Sequence, residues 1–393
     1  MVRLFDIVAS GKRRVLLLQG PVGPFFCNLA HDLRHAGASV FKINFNGGDW
    51  LFYPSKATHF RQSLDEWPPF LEQFLIENQI DLILCFGDCR PIHLAARTIA
   101  TKLKVELGVF EEGYVRPNHI TLERYGVNAH SRLSKDPSDY IKAEKTELAV
   151  AIPVRRPFLH AMVWAMLYNI AGTLLRPVFR NYKHHRNLTI SDSLYWFRSL
   201  WRKWIYAAKE MGILEKLIGE LAGRYFLTPL QVAHDSQIQS HSKFVKVEEF
   251  IEEVMRSFAE FAPPDTLLVI KQHPLERGHK QYSSWIDRVT KELDLSKRVL
   301  YIHDQHLPTL LSCARGVVVI NSTVGLSAIH HGIPLKNLGE AIYDIPGLTF
   351  QGELNDFWSQ APKPMQNLYE SFYNRVIKNT QINGNFYRRL PIQ

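Results

Sequence analysis

Residues 13–26 read RRVLLLQGPVGPFF, an aliphatic run that ends in a turn rich in Gly and Pro. A short run of this kind is typical of a strand buried on both faces of a parallel sheet. Apolar residues follow at helical spacing, at Phe25, Leu29 and Leu33, and Gly37 is a helix stop signal. The stretch therefore predicts the first strand and helix of a βαβ unit.

Aliphatic runs and helical patterns alternate along both halves of the chain. We predict strands at 14–19, 39–45, 81–86 and 105–110, and again at 224–230, 267–271, 299–303 and 317–320. Strands that alternate with helices form parallel sheets. The predicted fold class is therefore α/β and GT-B-like, with two Rossmann-like parallel-sheet domains facing across a cleft. We expect an N-terminal acceptor domain at 1–150, a basic helical segment at 151–222, a C-terminal nucleotide-sugar domain at 223–350, and a helical segment at 351–393 packing back toward the N-terminal domain.

Size and composition fit a folded protein of two domains. The chain has 393 residues, of which 46% are hydrophobic and 22% are charged, so it is typical of neither a disordered nor an integral membrane protein. No apolar run of signal-peptide length precedes Val15, and we expect a cytoplasmic protein. The cysteines have neither metal-ligand spacing nor a disulfide framework, and we assign them no chemistry.

The middle of the chain is strongly basic. Between residues 153 and 206, nine Lys or Arg residues accompany one Asp, a local charge of +8, and four of the eight tryptophans lie there. This composition is typical of a segment at an anionic bilayer surface, so we predict peripheral attachment to the inner membrane. A solvated helical insertion is the alternative, and we find no recognisable nucleic-acid-binding module. The residues concerned are Arg155, Arg156, Arg176, Arg180, Lys183, Arg186, Arg198, Arg202, Lys203, Asp192, Trp164, Trp196, Trp201 and Trp204.

Two adjacent carboxyl groups, Glu111 and Glu112, follow the fourth predicted strand, and Arg116 lies close behind them. Such a pair can keep one carboxylate ionised for catalysis while the other is paired or solvated. An acidic loop with a surface Glu–Arg pair is the structural alternative.

One motif follows the predicted strand at 267–271 in the second domain. Lys271, Gln272 and His273 precede a proline, which ends the strand and presents the imidazole in a loop where it can contact an anionic leaving group; a structural histidine is the alternative.

Asn321, Ser322, Thr323 and Gly325 lie between a strand and a helix, where hydroxyls and free amides can bind a phosphate; a simple helix cap is the alternative. No Asp-x-Asp pair is present for a divalent metal, so we expect a donor with a single phosphate, a CMP-sugar, and no required metal or cofactor.

The acidic pair, the His-Pro motif and the Ser-Thr pair are together similar to bacterial sialyltransferases. The chain more closely resembles the capsular polysaccharide KpsS/LipB family, at residues 18–26 (LQGPVGPFF), 44–49 (NFNGGD), 86–93 (FGDCRPIH) and 111–114 (EEGY). That resemblance implies a retaining β-Kdo transferase that moves Kdo from CMP-Kdo to a phosphatidylglycerol-type lipid acceptor. It further implies that Glu112 is catalytic, that His273 is the His-Pro histidine, and that Ser322 with Thr323 binds phosphate.

Two loops are predicted to lie on the acceptor side. Gly20 and Gly23, with Gly47 and Gly48, would permit close backbone approach, and a structural role in turns alone is the alternative. Gln19, Asn46 and Asp49 carry polar groups that can hydrogen-bond hydroxyls. Asp88 is a second candidate nucleophile beside Glu112, or it holds Arg90 or an acceptor hydroxyl. The segment 230–237 is predicted to meet the nucleotide or the sugar.

Two other functions remain open. A non-enzymatic capsule export or assembly subunit would explain a membrane-binding surface, with other capsule proteins as partners. An inverting CMP-sialic acid transferase would share the same motifs. Turnover of each donor distinguishes the three hypotheses.

Overall fold

The structure is a computed structural model that describes residues 13–141, 151–154, 157–182, 192–233 and 235–388. The chain forms two compact units. The first comprises Met1–Leu133, Lys145–Asn187 and Tyr373–Gln393, and the second comprises Ser134–Glu144 and Leu188–Phe372.

Twelve strands lie in the described residues and are numbered in chain order. They are β1 (Arg14–Leu17), β2 (Ser39–Asn44), β3 (Thr58–His59), β4 (Leu82–Phe86), β5 (Glu106–Glu112), β6 (His119–Arg124), β7 (Tyr225–Pro229), β8 (Leu267–Lys271), β9 (Val299–Ile302), β10 (Gly316–Val319), β11 (Leu335–Asn337) and β12 (Gln381–Asn383).

The α-helices of the described residues are numbered in the same way. They are α1 (Phe25–His35), α2 (Gly47–Phe52), α3 (Trp67–Glu77), α4 (Pro91–Leu103), α5 (Ser138–Ile141), α6 (Pro157–Leu174), α7 (Asp192–Lys209), α8 (Ile213–Ile218), α9 (Ser236–His241), α10 (Val247–Phe261), α11 (Ser283–Glu292), α12 (Leu307–Cys313), α13 (Val324–His330), α14 (Leu354–Gln360) and α15 (Gln366–Thr380).

The first unit is built on a sheet of order β12-β6-β5-β4-β1-β2-β3. Strands β1 to β5 are parallel to one another. At one edge, β6 pairs with β5 in antiparallel orientation, and β12 pairs with β6 in antiparallel orientation. Successive side chains of β1 point to opposite faces, as strand geometry requires. Leu16 packs with Trp67 and Ile99 on one face, and Leu17 packs with Leu29 on the other. Both faces of the sheet are therefore buried.

The second unit contains a parallel sheet of order β11-β10-β7-β8-β9. Its core joins α10 to α14, where Phe258 and Trp358 pack against Phe226 of β7. The Trp358 indole N–H donates to Ser257 Oγ at 2.8 Å, so its polar atom is satisfied inside the core. The prediction of an α/β protein with two parallel-sheet, Rossmann-like domains is confirmed.

The unit boundaries differ from the predicted domain boundaries. The segment 151–222 does not form one body, because α6 packs in the first unit while α7 and α8 belong to the second. Residues 351–372 also stay in the second unit, where α14 packs on α10. The chain returns to the first unit from Tyr373 onward and adds β12 beside β6 through Ile382 and Ile120.

Candidate active site

Both sheets have the same strand order, in which strands are added first on one side of the unit's first strand and then on the other. The strand order therefore reverses beside that first strand. In open α/β sheets, ligands bind beyond the carboxyl ends of the strands at such a reversal. In the first unit, Gln19 follows β1 and Asp88 follows β4, the two strands at the reversal. In the second unit, Gln231 follows β7 and Asn321 follows β10. The predicted site residues therefore lie around the reversal point of each sheet.

Glu111 and Glu112 are the last two residues of β5 and have different surroundings. Loss of water around the side chain raises the pKa of Glu111 to about 7; the Glu112 amide hydrogen bond opposes this shift and the Glu112 charge adds to it. That amide N–H lies 2.9 Å from Glu111 Oε1. Glu112 Oε1 accepts a hydrogen bond from the Tyr387 hydroxyl at 2.9 Å. Glu111 is thus suited to exchange a proton near neutral pH, and the next residue of the strand, Glu112, carries a carboxyl group positioned by Tyr387.

Asp88 is 1% exposed and is held by several donors. Its Oδ2 atom accepts the Val127 amide N–H at 3.1 Å and lies 2.9 Å from Nδ1 of His130, while the Cys89 thiol lies 3.3 Å from Oδ1. Asp88 therefore does not pair with Arg90, whose guanidinium donates to Gln19 Oε1 at 2.8 Å. A carboxylate fixed in this way is suited to orient neighbouring groups.

A buried polar cluster joins the two predicted acceptor loops. Gln19 Nε2 lies 2.9 Å from the Tyr182 hydroxyl and 3.2 Å from the Tyr168 hydroxyl. The Tyr168 hydroxyl donates to Asp49 Oδ1 at 2.9 Å and accepts from Asn46 Nδ2 at 2.7 Å. Asn46 also caps α2 by accepting the Asp49 amide N–H. The polar groups predicted to meet acceptor hydroxyls are therefore engaged with one another and with tyrosines of the middle segment.

The glycines of these loops serve packing. A Cβ atom at Gly23, whose φ is +111°, would lie 3.0 Å from the Trp164 ring. At Gly48 it would lie 2.5 Å from the Tyr168 ring, and at Gly47 it would overlap the main-chain oxygen of Ala171. A Cβ at the fourth glycine, Gly20, would lie 2.7 Å from the Phe26 ring. These glycines were predicted to let an acceptor approach the backbone closely. In the structure, three of the four lie against residues of α6.

Arg116 is exposed, and its Nε donates to the Gly113 carbonyl at 3.1 Å. The side chain thus stabilises the turn after β5. Its predicted place on the acceptor side stays a prediction.

In the second unit, the His-Pro motif has two buried residues and one half-buried residue. Lys271 Nζ donates to the His303 carbonyl at 2.9 Å, and burial lowers the pKa of this lysine. Gln272 Nε2 donates to the Lys280 carbonyl at 2.6 Å. His273 is half-buried, and its Nδ1 accepts the Leu275 amide N–H at 3.2 Å. A neutral ring with Nδ1 as acceptor carries its proton on Nε2, as a donor.

The segment after β10 combines a fixed amide with a hydroxyl-bearing turn. Asn321 Nδ2 donates to the Gln237 carbonyl at 2.9 Å, and its Oδ1 accepts from Gln231 at 3.0 Å. Ser322 Oγ accepts the Val324 amide N–H at 3.2 Å. Thr323 precedes α13 but makes no side-chain cap bond, because its backbone is already in the helical region.

The neighbouring Gly325 packs against the Tyr343 ring. A larger residue at this position would displace that ring. Its predicted role in donor binding stays a prediction.

Sequence reasoning missed several side chains of these clusters. His130, Tyr168 and Tyr387 contact predicted site residues, yet they are 42, 119 and 275 positions away from their partners along the chain. No local pattern marks them, since each is brought in by a separate element. Glu123 has a raised pKa of about 7, chiefly from burial, and only the structure shows that its alternating position on β6 points inward.

Part of the predicted membrane segment also has another use. Arg198 of α7 donates to the Gly278 carbonyl, and Arg202 donates to the Arg277 carbonyl at 2.9 Å. These two arginines bind loops of their own unit. Some predictions concern residues outside those that the structure describes. They are the predictions for Arg155, Arg156, Lys183 and Arg186, and for His234 within 230–237.

Each of the two units has a sheet of mainly parallel strands with polar residues at its reversal point. This arrangement defines a two-unit protein of the Rossmann-like class. The chain matches the capsule polysaccharide biosynthesis protein family over residues 81–387, and it belongs to that family.

Two relatives cover nearly the whole chain. The capsule polysaccharide export protein KpsS of Escherichia coli is 41% identical over 384 residues, which are 97% of this chain and 98% of that protein. The capsule polysaccharide modification protein LipB of Neisseria meningitidis serogroup A is 40% identical over 385 residues, with 96% and 92% covered. The resemblance to the KpsS/LipB family is confirmed. A solved structure of Thermosulfurimonas dismutans KpsC, a β Kdo 2,7 transferase, is similar at 16% identity and a TM-score of 0.42, with 84% of this chain and 88% of that chain covered.

Proposed function

We propose that this protein is a retaining β-Kdo transferase that moves Kdo from CMP-Kdo to a phosphatidylglycerol-type lipid and so starts a capsular polysaccharide linker. Membership of the capsule biosynthesis family supports a role in capsule synthesis. The observation that carries the catalytic proposal is the pair at the end of β5. There, Glu111 has a pKa of about 7 and adjoins Glu112, a carboxyl group positioned by Tyr387.

Glu112 is the preferred nucleophile of the first step. Its carboxylate attacks the anomeric carbon of Kdo, the bond from that carbon to the CMP phosphate oxygen breaks, and CMP leaves with the bonding electrons. Asp88 suits this role less, because it is almost fully buried and its oxygens already have donors. His273 assists departure by donating from Nε2 to the phosphate, and Ser322 with Thr323 binds the same group.

The second step transfers the sugar to the acceptor. A lipid hydroxyl attacks the same carbon, the bond to Glu112 breaks, and the hydroxyl proton passes to Glu111. A group with a pKa of about 7 can accept that proton at neutral pH. Two successive inversions return the original anomeric configuration, which makes the overall reaction retaining.

The proposed setting is the cytoplasmic face of the inner membrane, because a lipid acceptor requires a protein that works at a bilayer. Among the described residues, no helix is both long and apolar enough to cross a membrane. The proposed donor carries one phosphate, and the donor-side residues named above offer ammonium, hydroxyl, amide and imidazole groups; we therefore propose that no metal is required.

The test is an assay of the purified full-length protein with CMP-Kdo and a short-chain phosphatidylglycerol. We expect a lipid product heavier by one Kdo residue, with NMR showing the same anomeric configuration as the donor, and equal turnover in a metal chelator. CMP-sialic acid is offered in parallel. Transfer of sialic acid with inversion would support that alternative instead.

The Escherichia coli relative is named an export protein, and a non-enzymatic role is therefore the second candidate function. An export or assembly subunit needs no CMP-Kdo turnover. Absence of turnover with either donor, from protein that still binds anionic vesicles, would favour that role and contradict our proposal.

A further inference from the structure

Helix α6 has an outward face that is apolar along its whole length. Exposed side chains recur at intervals of three or four residues, lie on one side of the helix and form one ridge, which Phe158 and Met162 widen. Met166 is 58% exposed, Ile170 48% and Leu174 71%. An apolar surface of this extent on a single helix is typical of an interaction site. The ridge consists of Leu159, Val163, Met166, Ile170 and Leu174.

The opposite face of α6 packs on the first unit. Tyr168 and Ala171 lie against Gly48 and Gly47 of α2, and the Trp164 indole N–H donates to the Tyr387 carbonyl at 3.1 Å. The helix is therefore fixed to the unit by one face, and its outward orientation is set by that packing.

The charges around α6 indicate what covers the ridge. Residues 151–182 contain four arginines and no Asp or Glu. Arg176 and Arg180 follow the helix and are exposed. Apolar residues flanked by positive charge, without acidic residues, complement an anionic lipid surface. The basic helix α7 is less suited to this contact, because Arg198 and Arg202 bind loop carbonyls of the second unit.

We propose that the outward ridge of α6 inserts into the headgroup boundary of an anionic phospholipid leaflet, with Arg176 and Arg180 at the phosphates. This inference rests on the proposed function and specifies its membrane contact. Interfacial helices of this kind bury their apolar face by roughly 5–10 Å and lie in the plane of the membrane.

The same helix links the lipid surface to the polar cluster of the acceptor loops. Tyr168 points from the inner face of α6 to Asp49 and Gln19. A helix with its side chains is about 10 Å across. Insertion of the ridge would therefore hold this cluster within about one helix diameter of the headgroups.

The test uses the full-length protein and flotation on vesicles. Met166→Gln with Ile170→Gln removes two apolar side chains from the ridge without adding charge. The matched control is Ile76→Gln with Leu94→Gln, which changes exposed residues of α3 and α4 (59% and 44% exposed) in the same unit. Vesicles contain phosphatidylcholine with or without phosphatidylglycerol, and binding is measured at low salt and at about 1 M salt, where the Debye length is about 3 Å.

We expect the wild type to float with anionic vesicles and to retain part of this binding at high salt. The α6 variant should partition about tenfold or more weakly, while the control stays near wild type. Turnover of a soluble short-chain phosphatidylglycerol should be unchanged in both variants. Absence of that turnover in the wild type would contradict the proposed function, whereas the flotation result would still test insertion of α6.

Three results would overturn the inference. They are equal flotation of the α6 variant and the wild type, an equal loss in the control, and a wild type that does not bind vesicles. In the last case, sedimentation would show whether a second copy of the chain covers the ridge, as a dimer that the α6 variant dissociates.

Discussion

At the scale of single residues, the two carboxyl groups at the end of β5 have different surroundings, and this difference supports the separate roles proposed for them. Loss of water around Glu111 makes its charged form costly, so this side chain holds a proton up to about pH 7. The Tyr387 hydroxyl donates a hydrogen bond to Glu112 and orients one of its carboxyl oxygens. Adjacent carboxyl groups with different environments are a common basis for dividing nucleophile and proton-transfer roles.

Glu112→Gln should reduce transfer about 10²- to 10⁴-fold, the usual cost of losing a positioned catalytic group. The amide oxygen can still accept from Tyr387, so the fold should be retained. Intact-mass measurement of the wild type, given CMP-Kdo without acceptor, should show a sugar adduct that the variant lacks. Glu106→Gln, at the opposite end of β5 and paired with Arg13, is the control. Near-normal turnover of Glu112→Gln would contradict the assignment and direct attention to Asp88.

His273→Ala should weaken CMP binding as well as transfer, whereas Glu112→Gln should leave CMP affinity unchanged. The reason is that His273 would contact the phosphate through Nε2, while Glu112 would contact only the sugar carbon. Calorimetry with CMP measures both affinities. His279→Ala, an exposed residue of the same loop, is the control. Equal CMP affinity of His273→Ala and the wild type would remove this histidine from the donor site.

Glu123→Gln should make the unfolding free energy less dependent on pH. Burial raises the pKa of Glu123 to about 7, so between about pH 4.5 and 7 the unfolded state releases a proton that the folded state keeps. The wild type should therefore lose on the order of 2–3 kcal/mol of stability as pH rises through this range, from this residue. Urea unfolding at pH 5 and pH 8 measures the difference, with the exposed Glu77→Gln as control. The same pH dependence in Glu123→Gln and wild type would show that Glu123 does not retain its proton.

Only part of these clusters could be predicted from the sequence. Gln19, Asp88 and Asn321 were found because they lie just beyond parallel strands, where ligands bind, and Glu112 was found at the end of such a strand. His130 and Tyr168 could not be found, since each contacts its partner through tertiary packing and has no local signature.

At the scale of elements, the contact between α2 and α6 explains the glycine-rich loop at 44–49. Asn46 caps α2, and Gly47 and Gly48 leave room for the main chain and the Tyr168 ring of α6. The same two glycines thus determine where α6 lies and bring Tyr168 to Asp49. The sequence showed that a close approach occurs here, but it did not show which segment approaches.

Gly47→Ala should lower the unfolding free energy by about 1–3 kcal/mol, because the new methyl group meets the Ala171 carbonyl and α6 must shift. Gly172→Ala lies on α6 itself with no neighbouring atoms within 4 Å, and it should stabilise the helix by about 0.5–1 kcal/mol. Thermal unfolding compares the two variants. Stabilisation by both would mean that α6 is not packed on α2.

At the scale of the whole molecule, the chain passes between its two units four times and ends in the first. Eight of the ten parallel strands among the described residues were predicted from alternating patterns, whereas the short strands β3 and β11 were not. Strands β6 and β12 were not predicted either, since antiparallel strands interrupt that alternation. The returning segment brings Phe386 and Tyr387 to the end of β5. The proposed catalytic residues at the end of β5 are therefore contacted by residues from the C-terminal segment.

Phe386→Ala should loosen the first unit and leave the second unchanged. Phe386 is 2% exposed, and its ring lies 4.9 Å from Phe25, 5.1 Å from Phe86 and 6.2 Å from Phe110. Removing a buried phenyl ring costs about 3–5 kcal/mol. Because each unit has its own core, hydrogen exchange should accelerate in β4 and β5 and stay constant in β7 and β8. Phe261→Ala, at the exposed end of α10, is the control and should change exchange little. Equal acceleration in both sheets would instead show that the two units unfold as one cooperative body.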